Sequence, residues 1–213
     1  MANRPLLSYD AFHPKSRKAW RAWLQKHHAS SSGIWLVYAK KHTGIPSLSY
    51  NDAVEEALCY GWIDSLIHPI DQELYKQIFT PRKPKSAWSA ANKARVERLI
   101  AGGLMTAAGM ALVALAKKSG TWSTLDQAAA LTMPPELQKA IDANAAASKN
   151  WLAYSPGMRK GFLYRLADAK RPETRAARIA EIVDIVARNV SRAELMERAG
   201  FRQKKAATKR AKT

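Results

Sequence analysis

Eight residues in the middle of the chain have the side chains that chemistry or ligand binding would need: Trp62, Asp64, Arg82, Lys85, Ser86, Trp88, Ser89 and Asn92. Ser86 and Ser89, with the free backbone N–H groups of a helix start, suit an anion, and Arg82 and Lys85 add positive charge. Trp62 and Trp88 offer flat apolar faces for a base, a sugar or a peptide side chain. The structural alternative is that both tryptophans are core, Ser89 is a cap and Asp64 pairs with Arg82 to orient a hairpin.

Catalysis would need more than these residues show. Asp64 has no partner carboxylate nearby in sequence, whereas glycosidic chemistry uses two. Ser86 or Ser89 with His68 and Asp64 contain the atoms of a nucleophilic triad, but a triad is defined by geometry. No nucleophile-elbow or phosphate-loop glycine pattern is present. His13, His27, His28, His42, His68 and the single cysteine, Cys59, include no pair at zinc-ligand spacing, so no metal and no cofactor are expected. Cys59 reads as a packed thiol. The balance favours a binding protein over an enzyme.

The elements that must position these residues follow from periodicity and caps. Trp20, Trp23 and Leu24 mark a first helix from about 15 to 28, and the stretch 34–39 is rich in aromatic and branched residues and predicts a strand. Ser49 caps a second helix that Gly61 ends. Strands over 62–67 and 74–80 then form an antiparallel hairpin. Ser89 caps a helix to Ile100, and an apolar stretch over 104–118 reads as a buried helix. Later helices start at Pro134-Pro135, after Ser155-Pro156 and at Pro172, the last with Ile179, Ile182, Val183 and Val186 on its core face. The alanine-rich stretch 124–150 reads as including a hinge.

The expected fold is α+β: a small antiparallel β-sheet packed by helices over residues 1–123, a helical segment over 124–201 and a disordered basic tail over 202–213. Neither an export leader nor a run long enough to span a bilayer is evident, which predicts a cytoplasmic protein without a transmembrane segment.

Charge is the strongest bulk feature, a formal +18 from 35 basic and 17 acidic residues. Residues 151–213 hold 16 of the basic and 6 of the acidic groups. Arg171, Arg175, Arg178, Lys204, Lys205, Lys209 and Arg210 are therefore candidates for contact with nucleic acid or another polyanion. No RNA-recognition, zinc-finger or basic-zipper signature accompanies them, so sequence-specific readout is not indicated.

Several blocks resemble the YdeI/OmpD-associated proteins, also described as bacteriocin-protection proteins. They are Ser32-Gly33-Ile34-Trp35-Leu36 with Lys40-Lys41, the run from Ser49 through Cys59-Tyr60-Gly61-Trp62-Ile63-Asp64-Ser65, and Phe79-Thr80-Pro81-Arg82 with Ser86, Trp88, Ser89 and Asn92. Gly103-Leu104-Met105, Gly109, Trp122 and the stretch Ala169-Lys170-Arg171-Pro172-Glu173-Thr174-Arg175 with Arg178-Ile179 also fit. The resemblance implies a role in protection against bacteriocins or cationic peptides and association with an outer-membrane porin. It brings no established catalytic residues. The resulting expectation is a non-catalytic cytoplasmic binding or stress-protection protein. The alternatives are a non-specific nucleic-acid binder and an enzyme or small-anion sensor centred on Asp64, Arg82 and Trp88.

Overall fold

The structure, a computed structural model, describes residues 9–198 and divides into two compact units, one up to Thr124 and one from Leu125. Both are mainly helical, and the first contains the sheet, so the α+β class holds. The expected basic tail, with Lys204, Lys205, Lys209 and Arg210, lies outside the described residues.

In the first unit, Ser16 starts helix α1 (Arg17–His27) by accepting a bond from the Ala19 N–H. Strand β2 (Ile34–Ala39) follows, then a short 3-10 turn over Lys41–Thr43 that Gly44 closes. Helix α2 (Tyr50–Cys59) begins at Ser49, whose hydroxyl accepts from the Asp52 N–H and donates to the Asp52 carboxylate. Gly61, at φ +74°, ends it in the left-handed region that L side chains avoid. The chain then forms the expected hairpin of β3 (Trp62–Pro69) and β4 (Leu74–Pro81).

The sheet has four strands in the order β1-β2-β4-β3. It is mixed rather than purely antiparallel, because β1 (Ala11–Phe12) lies parallel to β2. At two residues, β1 is too short to show a period in sequence. Phe79, Trp62, Ile34, Leu36 and Tyr38 join the core that α1 and α2 also build. Trp35, Val37 and Ile78 fall on the alternate positions and are buried as well. A bulge between Asp64 and Ile67 shifts the β3–β4 register.

Helix α2 is the centre of this unit, and two unusual contacts fix it. Glu56 is buried at 2% exposure, and its carboxylate accepts from Arg17 Nε at 2.6 Å and Arg21 Nη1 at 2.7 Å, tying α1 to α2. Arg17 also reaches Asp52 and Glu55. Burial works against the Arg17 charge, but its bonds to and the charges of Glu56 and Glu55 outweigh it and raise the pKa. On the other side, Thr106 bonds the Cys59 carbonyl through its hydroxyl at 2.6 Å and its N–H at 3.1 Å.

Thr106 also caps helix α4 (Ala107–Lys118), so that helix starts later than the apolar run suggests. Gly109 lets it approach: a Cβ there would fall on the Cys59 carbonyl. α4 is not the buried helix that its composition predicts. Only Gly109, Val113 and Ala116 are buried, whereas Met110 and Leu115 are 42% and 41% exposed. A stripe of small residues is what allows the close approach, and the larger side chains are left outside it. Helix α3 (Ala90–Ala101) runs from Ser89 as expected.

The second unit is helical throughout its described part. Helices α6 (Pro135–Asp142), α8 (Pro156–Ala167) and α9 (Pro172–Ala187) match the three proline-marked starts. The alanine-rich stretch 124–150, which begins at the boundary between the units, contains α5 (Asp126–Ala129), α6 and most of α7 (Ala145–Trp151), which Asn144 caps. Short alanine-rich helices carry little apolar stripe, so periodicity did not announce them. α10 (Arg192–Arg198) follows. The core face of α9 is turned slightly from the expected one: Ile182, Ile185 and Val186 are buried, and Ile179 and Val183 only pack against the core. The last carbonyls of α9 are satisfied from α7 and the residues after it. Asn150 donates to Val186 and Ala187, and the Tyr154 hydroxyl lies 3.3 Å from the Ile185 carbonyl and 2.9 Å from that of Val190, just past the helix.

Two substitutions test this account. Glu56→Ala should cost about 2–3 kcal/mol in chemical denaturation, below the full price of a buried pair because both arginines stay a third exposed. Gly109→Val should destabilise by at least about 1–3 kcal/mol through overpacking, and thermal melts would show it. An unchanged melting temperature for either variant would refute the role assigned to its contact.

Candidate functional site

At the end of the hairpin and the start of α3 the two tryptophans are buried. Trp62 is 1% exposed, and its indole N–H donates to the His28 carbonyl at 3.1 Å. Trp88 is 2% exposed and packs against Trp122 with ring centroids 5.0 Å apart. The Ser89 hydroxyl accepts from the Asn92 N–H, and the Asn92 side chain accepts from Arg95 Nη1. These four side chains are engaged in internal contacts. Ser86 is half-buried in the turn before α3, with its N–H bonded to Lys83, and Lys85 is exposed in that turn.

Arg82 stands apart. Its backbone N–H bonds Gly61, and its guanidinium lies over Trp88, with Cζ 3.8 Å from the ring centre. Nη2 donates to the Ala87 carbonyl. The residue is buried at 6% exposure, yet its Nε has no partner and no described carboxylate forms an ion pair with it. Burial pulls its pKa down to about 10, with the negative charge of Asp64 acting the other way. Asp64 is within reach as a field but not as a partner. The expected Asp64–Arg82 pair is absent.

Asp64 belongs to a different centre. Its Oδ2 accepts from the Tyr50 hydroxyl at 3.0 Å and from Gln77 Nε2 at 2.8 Å. Tyr50 comes from the first turn of α2, Asp64 from β3 and Gln77 from β4, so three elements meet there. Gln77 is 2% exposed, and its Oε1 receives no hydrogen bond. Tyr38 of β2, 1% exposed, also has a hydroxyl without a partner, and its ring stacks on Tyr75 at 4.9 Å. Burial first, and then the charges of Tyr75, Asp64 and Tyr50, raise the Tyr38 pKa, which keeps the hydroxyl protonated.

Tyr38, Tyr50, Tyr75 and Gln77 were not among the residues singled out from sequence. A signal for two of them exists: Tyr38 follows Ile34 and Leu36 on the inward positions of β2, and Gln77 lies between Tyr75 and Phe79 on those of β4. A glutamine at an inward position must find partners or leave a polar atom dry.

The triad atoms stay separated. The bulge after Asp64 turns His68 toward Trp35, and its Nδ1 lies 2.8 Å from the Pro69 carbonyl. Cys59 is fully buried, and burial raises its thiol pKa, as suits a packed thiol. Among the described residues no three His, Cys, Asp or Glu side chains are grouped to hold a metal.

On the basic face of the second unit, Arg171 is exposed just before α9. Arg175 bonds Glu136, with Nε at 2.6 Å, and also the Leu166 carbonyl. Arg178 bonds the Arg165 carbonyl and lies 3.8 Å from Asp168. Two of the three described polyanion candidates thus already have internal partners.

Residues 12–112 match the sequence profile of a domain of unknown function (DUF8412), and residues 130–189 match that of the family described as Bacteriocin-protection, YdeI or OmpD-Associated. No curated protein and no solved structure matches the chain. The motifs from Ser32 to Asn92 therefore fall within the first match, and the stretch from Ala169 to Ile179 within the second. The similarity to the YdeI/OmpD-associated family thus lies in the second unit, over residues 130–189.

Proposed function

We propose that the protein is a non-catalytic cytoplasmic binding protein of the YdeI/OmpD-associated type, and that Arg82 holds a small anion. The observation that carries this reading is a buried guanidinium with an unpartnered Nε and no paired carboxylate. An unpaired buried charge costs several kcal/mol, and an anion reaching that edge offsets the cost. Trp88 holds the guanidinium against its ring, and a guanidinium suits the planar, two-point recognition of a carboxylate or phosphate. Ser86 and Lys85 in the adjoining turn supply a hydroxyl and a second positive charge.

Binding rather than turnover is favoured because Asp64, His68 and the serines do not converge. The cytoplasmic setting agrees with a lone buried thiol, Cys59. The stress-protection role in the family's description enters here as the outcome of binding, not as a separate activity.

Thermal melts with phosphate, sulfate and citrate provide the test. A bound anion at ten times its dissociation constant should raise the melting temperature by about 2–6 °C. Arg82→Met should abolish that shift while melting at or above the wild-type temperature without anion, because an apolar side chain removes the buried charge. The pH dependence follows from the lowered pKa. The charged, binding form is full through neutral pH and is lost as pH rises through about 10, so the shift should fade there. An equal shift in Arg82→Met, or turnover of any of these anions, would refute the reading.

A further inference from the structure

Helix α8 carries two glycines four residues apart, Gly157 and Gly161, a spacing that puts both on one face. Gly161 lies in the helix interior, where glycine is disfavoured. Backbone conformation does not require either residue, because neither has a positive φ. Close packing does not require them either. A Cβ at Gly161 would meet no atom within 4 Å, and one at Gly157 only the Ser155 hydroxyl at 4.0 Å. Both are exposed, so what they supply is open space against the helix backbone.

That space belongs to a cavity of about 430 Å³, half open to solvent and lined by α8, α9 and α10 of the second unit. Small-molecule sites fall in the range of about 300–1,000 Å³. Phe162 of α8 and Ile182 and Ile185 of α9 supply its buried apolar side, and Met158 and Leu195, half-buried, also line it. The charged lining residues are Arg165, Glu181 and Arg192. Arg165 and Glu181 bond each other and cancel. Arg192 is exposed and has no partner among the described residues.

The occupant follows from this pairing of an apolar interior with one uncompensated positive charge. A small inorganic anion gains nothing from Phe162 and the isoleucines and loses hydration beside them. A cation meets Arg192 and an unfavourable field, since residues 151–213 hold 16 basic against 6 acidic groups. We infer that the cavity binds an amphipathic organic anion, a medium-chain alkyl carboxylate, with its chain against Phe162, Ile182 and Ile185 and its acid group at Arg192. The site goes beyond the Arg82 reading and does not depend on it.

Titration of the full chain with octanoate, followed by the methyl NMR signals of Ile182, Ile185 and Leu195, tests the assignment. Those signals should shift saturably with octanoate, and lengthening hexanoate to octanoate should tighten binding about tenfold. Octylammonium should bind more weakly. Gly161→Leu fills the cavity from α8, so it should abolish the shifts while its melting temperature holds or rises, leucine being the better helix former. Arg192→Gln should weaken octanoate about three- to fivefold, as suits an exposed ion pair. Arg82→Met should leave these shifts unchanged, which separates this site from the anion site at Arg82. Absence of saturable shifts, equal or tighter binding of octylammonium, or unchanged binding in Gly161→Leu or Arg192→Gln overturns the assignment. So do methyl shifts that follow protein concentration without ligand, which would give the cavity to a second copy of the chain.

Discussion

A carboxylate that water barely reaches sets the terms for the first unit. Glu56 is tolerable inside only because Arg17 and Arg21 approach it from the next helix with charge-assisted bonds. That requirement fixes the facing of α1 on α2, which in turn places Trp20 so that its indole donates to the Ala53 carbonyl. The opposite side of α2 is constrained just as tightly, by backbone rather than charge, where Gly109 brings α4 against Cys59. With one face clamped and the other pressed, α2 has little freedom left. Its first turn delivers Tyr50 to Asp64, and its end delivers Gly61 to Arg82.

The two polar centres are therefore consequences of one helix held in place. They use opposite currencies. At Arg82 the buried Nε is left without a partner, whereas near Asp64 it is the Gln77 Oε1 and the Tyr38 hydroxyl that have none. The negative charge of Asp64 acts on Arg82 without a hydrogen bond between them. Each keeps its partners in the rigid part of the fold, on strands or at helix ends, where a modest structural change is felt directly.

Much of this unit was legible in the residues. Ser49, Gly61 and Ser89 are caps and stops whose effect depends on local backbone chemistry, so their helices begin and end where the sequence indicates. The hairpin was legible for the same reason. Strand β1 was not, because two residues show no period, and neither were α5 and α7, whose alanines mark no face. The exposed side of α4 was misread because an apolar composition says nothing about which side chains a close helix contact can accommodate. The candidate site was half legible. Asp64 and Arg82 stood out by type, but their separation depends on register, and Tyr38 and Gln77 look like ordinary strand residues until four elements bring them together.

The bulge in β3 divides the hairpin into two parts with different obligations. Up to Asp64 each residue must keep its side, because the inward positions carry Trp62 and the carboxylate that Tyr50 and Gln77 hold. Past it the alternation starts afresh, and Leu66, Ile67 and Ile70 stand 51%, 59% and 47% exposed. Past the bulge β3 is still paired with β4, with Ile67 opposite Gln77 and His68 opposite Lys76, so the same strand partner serves an inward-facing stem and an exposed tip.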